Sequence, residues 1–567
     1  MIDTPTEPTL ASLVRVRPGG VRSISLESDL SRGAAADGYV LTEQARGVLA
    51  RMIDRFGGGH PTRAWTVTGP YGSGKSYFGL FLMNLLAARL PAHAAAEAML
   101  RAEDRLLAEK VRHVGRLETT RGLLPVPITG YRASIEECIR RGVAAAFQPY
   151  AGDPDVAQLL ADYATFHANG DGRAFVDLLE RARSAAAGQG YAGVVIVFDE
   201  LGKALEHVAA HPEAADVYVL QQIAEAANRS GDVPLLFIGI LHQSFDRYAG
   251  RLDATTQREW SKVQGRYEDV AFQEPPVQQM WLLARALELD PAADAAAIAR
   301  RVRADLVAVA GSDWRPATLT PEAFAALAGR AYPLHPTALV ALPYLFRRLA
   351  QNERSLFAFL ASHEPFGFQE FLRRHGPEST VRLADLFDYL AANFQGRLYA
   401  SLRARLITET LERLDQAGDK LGALERDVLK TVGLINWLAE VSALGAAEPE
   451  LYAALVAPDR PPEMVRAALD RLRTLSLVVF RRFNRTYAVW QGSDVDLEER
   501  LHQARSHLSG TYSLAEAVEA YLPPRPIVAR RHSYETGTTR YFTARYIDAQ
   551  TRDSQTREAR PATSGAG

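Results

Sequence analysis

Eight consecutive residues hold the most specific chemistry in this sequence. Gly69-Pro70-Tyr71-Gly72-Ser73-Gly74-Lys75-Ser76 fits the spacing G-x-x-x-x-G-K-[ST], between a β-prone stretch at 64–68 and a helix-prone stretch at 77–90. Strand, glycine loop and helix in that order are the setting in which such a loop wraps a phosphate. Glycines let successive backbone N–H groups turn inward as an anion cradle, and the following helix adds its positive N-terminal end. Lys75 is expected to reach the β- and γ-phosphates and the Ser76 hydroxyl to ligate Mg²⁺, with Gly69, Gly72, Ser73, Gly74 and Tyr77 completing an ATP-binding set. Lysine is itself informative here, because arginine supplies 59 of the 65 basic residues. The six lysines mark positions where a guanidinium does not serve equally well.

A phosphate loop hydrolyses nothing alone, and the next requirement is an acidic strand end downstream. Asp199-Glu200 follows five apolar residues, 194–198. Asp199 is expected to hold Mg²⁺, mostly through water, and Glu200 to polarise the attacking water as general base. The helix dipole would also favour two carboxylates at a helix start, but the matched loop weighs for the catalytic reading. The run at 235–241 ends in His242-Gln243-Ser244. There His242 or Gln243 orients the water beside the γ-phosphate, or these residues cap the next segment. Arg266 precedes the last strand, where a ring-forming ATPase places an arginine finger into a neighbour's site; the competing reading is an ordinary surface arginine. The finger reading implies a homo-oligomer. Arg347, Arg348 and Arg354 follow the bend at Tyr332-Pro333-Leu334-His335-Pro336. Arg354 is a candidate lid arginine toward the nucleotide, against a solvated face of charge pairs at 351–354. His207 and His211 have metal spacing without a third ligand and read as helix surface.

The elements that must position these groups follow from periodicity. A strand at 21–26 and an amphipathic helix at 42–56 precede the loop. Five strands, at 64–68, 123–129, 193–198, 235–241 and 268–272, alternate with helices, the pattern of a doubly wound parallel sheet whose ligand lies beyond the strands' carboxyl ends. A strand between the two motifs favours the additional-strand class of P-loop ATPases. After about residue 276 the strands stop and residues 277–438 read as helices. A helix at 462–474 and strands at 477–481 and 486–490 then suggest a winged helix. A strand-like piece at 539–547 has no evident local partner. The expected fold class is therefore α/β, a P-loop NTPase parallel sheet followed by an all-α lid and a winged-helix-like domain. The expected divisions are an N-terminal segment 1–40, the ATPase core with helical insertions 41–276, the lid 277–375, a helical region with the winged helix 376–500, and a C-terminal helix, strand-like segment and flexible tail 501–567.

Composition narrows the partners. The chain has 567 residues, room for roughly three or four domains. Apolar residues at 47% and charged residues at 23% exclude global disorder, and a net charge of −2 leaves no whole-molecule attraction to polyanions. A lone cysteine, Cys138, excludes an intramolecular disulfide and a multi-cysteine zinc site. Neither a signal-type apolar core in the first 20 residues nor a membrane-length apolar run is present. The expected location is cytoplasmic, with no membrane. Residues 463–490 carry six arginines against Glu463 and Asp470. A helix and wing contacting duplex DNA would look like this, although Asp494, Asp496, Glu498 and Glu499 follow and would mask it, and winged helices also serve as protein contacts.

The phrases Gly-Pro-Tyr-Gly-Ser-Gly-Lys-Ser-Tyr, Val-Phe-Asp-Glu-Leu-Gly-Lys-Ala-Leu-Glu, Leu-His-Gln-Ser-Phe and Gln-Asn-Glu-Arg-Ser-Leu-Phe resemble bacterial P-loop ATPases of phage-defence islands, including the BREX type. The order of AAA+ core, helical lid and winged helix is also similar to origin-recognition initiators. The resemblance spans about residues 41–500. It implies ATP with Mg²⁺, oligomerisation, and nucleic acid or defence-system proteins as partners. The resemblance gives Lys203 and Glu206, on the helix after Asp199-Glu200, a family role to which the residues themselves assign no physical function.

Overall fold

The computed structural model describes residues 9–17, 24–33, 39–57, 61–70, 72–166, 172–211, 216–250, 252–291, 293–349, 356–394, 405–490, 513–538 and 540–547. Its strands are, in chain order, β1 (Val14–Val16), β2 (Ala64–Thr68), β3 (Leu123–Thr129), β4 (Gly193–Asp199), β5 (Leu235–Leu241), β6 (Glu268–Ala271), β7 (Leu287–Leu289), β8 (Val478–Arg481), β9 (Thr486–Val489), β10 (Ile527–Val528) and β11 (Tyr541–Phe542). The chain divides into two units, Met1–Val489 and Trp490–Gly567.

In the first unit β3, β4, β5, β2 and β6 form, in that spatial order, one all-parallel sheet. Its strands read as unbroken apolar runs because both faces are covered. The pleat sends Val195, Val197, Leu236, Ile238 and Ile240 into a core shared with the helices Glu43–Phe56 and Lys75–Leu86. Val194, Ile196, Phe198, Leu235 and Phe237 enter the opposite core with the helices Ile135–Phe147 and Tyr218–Asn228. This is the α/β P-loop NTPase sheet of the additional-strand class. The strand inserted in space between β2, which leads into the glycine loop, and β4, which ends in Asp199, is β5. In the sequence it is β3 that lies between the two motifs.

The helix Glu43–Phe56 begins where Thr42 Oγ1 accepts the Ala45 amide at 3.1 Å, and it buries Ala45, Val48, Leu49, Met52, Ile53 and Phe56. From the helix Pro276–Ala286 onward a separate core forms among helices. Inside it Asp305 lies 3.4 Å from Arg301, 3.2 Å from Arg382 and 3.5 Å from the fully buried His335. Burial and Arg382 push the His335 imidazole down to about 4, so its neutral form serves in this cluster. The helices Ala423–Leu438, Glu448–Leu455 and Pro462–Thr474 then precede the antiparallel hairpin β8–β9.

Three expectations are corrected. The strand expected at 21–26 is absent from the described part of that stretch, where the helix Leu26–Arg32 begins; Glu27 and Asp29 stand in its first turn, and Asp29 accepts the Ser25 amide at 2.9 Å. Strands do not stop at 276, because β7 pairs antiparallel with β1 and ties the N-terminal segment to the helical region. The strand-like piece at 539–547 does have a partner: in the second unit β11 pairs with β10, Ile527 opposite Phe542 and Val528 opposite Tyr541. The tail at 548–567 lies outside the described residues. Among the described residues no helix is long and apolar enough to cross a membrane, and Cys138 is a buried free thiol.

Candidate active site

The glycine loop leaves β2, between β5 and the edge strand β6. The Gly69 amide donates to Leu241 O at 3.1 Å and the Phe272 amide to Thr68 O at 2.7 Å, so the loop's root is held by the β5 end and by the residue after β6. A Cβ on residue 69 would stand 2.1 Å from Phe272 O, which leaves room for glycine alone. Gly74 is the N-cap of the helix Lys75–Leu86 with φ 88°, a left-handed turn that glycine takes without strain. Gly72 also has positive φ, at 72°. Tyr71 lies outside the described residues.

The loop holds its own lysine by its carbonyls. Lys75 Nζ donates to Gly69 O and Pro70 O, each at 2.7 Å, and lies 3.4 Å from Ser73 Oγ. Burial pushes its ammonium down to about 8, opposed by the Asp199 charge. Asp199, at the end of β4, is buried, and the Ser76 hydroxyl and the Glu200 amide donate to it, the amide at 2.9 Å. Burial raises the Asp199 carboxyl above its ordinary value against those hydrogen bonds. Ser76 and Asp199 thus bring two hard oxygen donors together, a set that suits Mg²⁺, which keeps most of its waters and takes few protein ligands. No cluster of three or more His, Cys, Asp or Glu side chains forms a metal site among the described residues.

Glu200 caps the helix Leu201–Ala210 in a left-handed conformation, φ 54° and ψ 33°, uncommon for a residue with a Cβ. Its carboxylate forms an ion pair with Lys203, three residues on. His242, just after β5, is depressed to about 3 by burial and then by the Lys75 and Lys203 charges. A neutral imidazole therefore stands within the field of both ammonium groups. Gln243 and Ser244 are half-buried, and Ser244 is the N-cap residue of the short helix Phe245–Tyr248 without a side-chain capping bond. Loop, Ser76, Asp199, Glu200 and His242 all lie at the carboxyl end of the central strands, where a doubly wound sheet binds its ligand.

Other expected residues lie elsewhere. Arg266 precedes β6 at the amino end of the sheet, since Trp65 pairs with Glu268 and Thr68 with Ala271. It is half exposed, with Nε 3.7 Å from Glu225. Arg354 lies outside the described residues. Arg348 turns into the helical core: it lies 4.7 Å over the Trp437 ring, donates to Trp437 O and pairs with Glu440 at 2.7 Å. His207 and His211 stack at 4.5 Å, and His211 Nδ1 lies 3.1 Å from His207 O.

Periodicity alone did not reveal the wall beside the loop. Tyr39 stacks on Tyr77 at 5.8 Å and contacts Phe81 at 4.9 Å, and Thr42 donates to the buried Glu274. An adjoining cavity of about 290 Å³ is lined by Val40, Gln278, Trp281, Leu282 and Arg285. Thr42 as a helix N-cap with the apolar Tyr39-Val40-Leu41 before it was the available signal.

The basic stretch 463–490 proves only partly free. Arg466 pairs with Glu448 at 3.2 Å, Arg473 with Asp470 at 3.1 Å, and Arg471 donates to Lys420 O at 2.8 Å. At the tip of the β8–β9 hairpin Arg481, Arg482 and Arg485 are exposed, as is Phe483, 85% accessible. Asp494, Asp496, Glu498 and Glu499 lie outside the described residues.

No family model matches the chain, and no curated protein matches it. Two solved structures of the Aeropyrum pernix ORC2 protein are similar to it. One, with ADPNP and ADP, has 12% identity and a TM-score of 0.29 and covers 83% of this chain and 93% of its own. The other, an ADP form, has 11% identity and a TM-score of 0.30, with 83% and 95% covered. At these values the likeness carries no argument about function.

Proposed function

We propose that the chain is a Mg²⁺-dependent ATPase of AAA+ type that couples nucleotide state to rearrangement of a DNA-associated complex. The observation that carries this reading is the convergence of Lys75, Ser76, Asp199 and Glu200 on one end of the sheet, with Ser76 donating to Asp199. The loop amides and Lys75 hold the β- and γ-phosphates, and Tyr77 lies beside them. Ser76 and Asp199 hold Mg²⁺, which when bound neutralises charge on the phosphate oxygens. Glu200 takes a proton from the attacking water, and the neutral His242 orients that water. Arg266, distant from its own loop, serves a neighbouring copy in a homo-oligomer, and Arg354 closes over the nucleotide from the lid. The helices before β8 with the β8–β9 hairpin form a winged helix. Its duplex contact is the exposed Arg481, Arg482 and Arg485 of the wing rather than the paired Arg466, Arg471 and Arg473. The setting in antiphage defence, with defence-system proteins as partners, rests on the sequence resemblance alone.

A second reading, a slow nucleotide-dependent switch or scaffold that assembles partner proteins, is favoured by Glu200 being held by Lys203. Steady-state ATP turnover with and without duplex DNA, at low fixed salt, separates the two, with Lys75→Ala as the blank. Turnover that DNA raises several-fold and that Glu200→Gln abolishes supports the motor. Negligible turnover in both conditions favours the switch, and turnover unaffected by Glu200→Gln overturns the catalytic assignment.

A further inference from the structure

Lys203 stands where helix electrostatics disfavours it. It is the third residue of the helix Leu201–Ala210, whose N-terminal turn favours carboxylates and repels cations. Its neighbour Glu200 is held in a left-handed backbone conformation at the same turn. Two local costs thus fall within four residues, and their mutual ion pair offsets them in part. That pair is half in solvent, with 46% of the Lys203 side chain and 27% of the Glu200 side chain accessible, so water and ions weaken it. The Lys203 charge also acts on His242, whose imidazole is depressed by burial first and then by Lys75 and Lys203.

We infer that Lys203 senses the terminal phosphate of the nucleotide. It is paired with Glu200; a γ-phosphate at the loop offers it a more highly charged partner, and exchange of Glu200 for phosphate frees the carboxylate for the attacking water. The exchange replaces one exposed ion pair by a charge-assisted phosphate contact and breaks no covalent bond. It predicts discrimination: ATP engages Lys203 and ADP, which lacks the γ-phosphate, does not. The inference rests on the loop binding ATP and on Glu200 acting on water, and the test keeps those separable.

The test is calorimetric binding of MgATP and MgADP to the full chain, for the unaltered protein, Lys203→Met, Lys203→Arg and Glu200→Gln. Lys203→Met is expected to weaken MgATP binding about tenfold while leaving MgADP within about twofold, the loss of one charge-assisted contact. Lys203→Arg keeps the charge but grips Glu200 in a bidentate pair, so it is expected to recover only part of the MgATP affinity. Glu200→Gln, which releases the lysine, tightens MgATP relative to MgADP, and this gain disappears when Lys203→Met is added. An equal effect of Lys203→Met on both nucleotides, or on neither, overturns the inference while leaving the ATPase reading intact. If the unaltered protein binds neither nucleotide, or Lys75→Ala binds both as well, the nucleotide-site reading falls and the inference with it.

Discussion

Titration of Lys75 gives the most direct physical test of the loop. Its ammonium is lowered from 10.5 to about 8 because the loop buries it. On that value roughly a tenth of Lys75 is neutral at pH 7, about half at pH 8 and about nine-tenths at pH 9. Phosphate oxygens beside Nζ favour the ammonium, so nucleotide binding at alkaline pH must be accompanied by proton uptake. MgATP affinity is expected to weaken about twofold between pH 7 and 8 and about tenfold between pH 7 and 9, with proton uptake rising from about 0.1 to about 0.9 per nucleotide. Stability of the nucleotide-free chain moves the other way. A lysine with a folded pKa below its unfolded value costs stability while both forms are protonated, and the cost lessens as pH rises from about 8 to 10.5. The cost is about 3 kcal/mol below that window. Calorimetry in two buffers of different ionisation enthalpy measures both affinity and proton uptake. An affinity flat from pH 7 to 9 with no proton uptake would refute a buried, depressed Lys75 and the loop geometry that buries it.

Three other perturbations probe separate parts of the structure. Gly69→Ala places a Cβ 2.1 Å from Phe272 O and is expected to cost about 1–3 kcal/mol in denaturation and to weaken MgATP binding. Arg348→Ala, which removes the contacts to Trp437 and Glu440, is expected to destabilise the helical region by about 2–4 kcal/mol while leaving the MgATP dissociation constant unchanged; a loss of nucleotide affinity would refute the purely structural role of Arg348. Replacing Arg481, Arg482 and Arg485 together by Ser is expected to lower the salt dependence of duplex binding by about three in logarithmic slope, and an unchanged slope in a fluorescence-anisotropy titration would remove the wing as the contact.

The central sheet was legible because strands covered on both faces must be apolar throughout, and 193–199 and 235–241 satisfy that condition without help from distant chain. The loop was legible for a similar reason: its glycines answer to local demands, the close approach at Gly69 and the left-handed turn at Gly74. What escaped depends on residues far apart. Val14–Val16 is a strand only because Leu287–Leu289 lies beside it. Arg348 was legible only as one of three arginines after the bend at 332–336, whereas Trp437 and Glu440 claim it from 89 and 92 residues away. The positive count over 463–490 was correct, yet Glu448, outside that window, neutralises Arg466. Charge counted along a segment overstates a patch whenever the fold supplies counter-charges from elsewhere.

The charged side chains at the end of β4 and at the glycine loop balance one another. Lys75 and Lys203 contribute two positive charges, Asp199 and Glu200 two negative ones, and each lysine already has a partner, the loop carbonyls for Lys75 and Glu200 for Lys203. On the proposed reading a triphosphate exchanges Lys75 from Gly69 O and Pro70 O and draws Lys203 from Glu200. The first exchange concerns the β- and γ-phosphates and is available in part to ADP; the second requires the γ-phosphate and changes the state of the catalytic carboxylate. Under that reading nucleotide binding and release of Glu200 would be separate steps governed by different lysines. That separation accounts for why both positions carry a compact ammonium in a chain that uses arginine almost everywhere else: an ammonium exchanges one oxygen for another about a single point, whereas a guanidinium's bidentate grip on a carboxylate is harder to release.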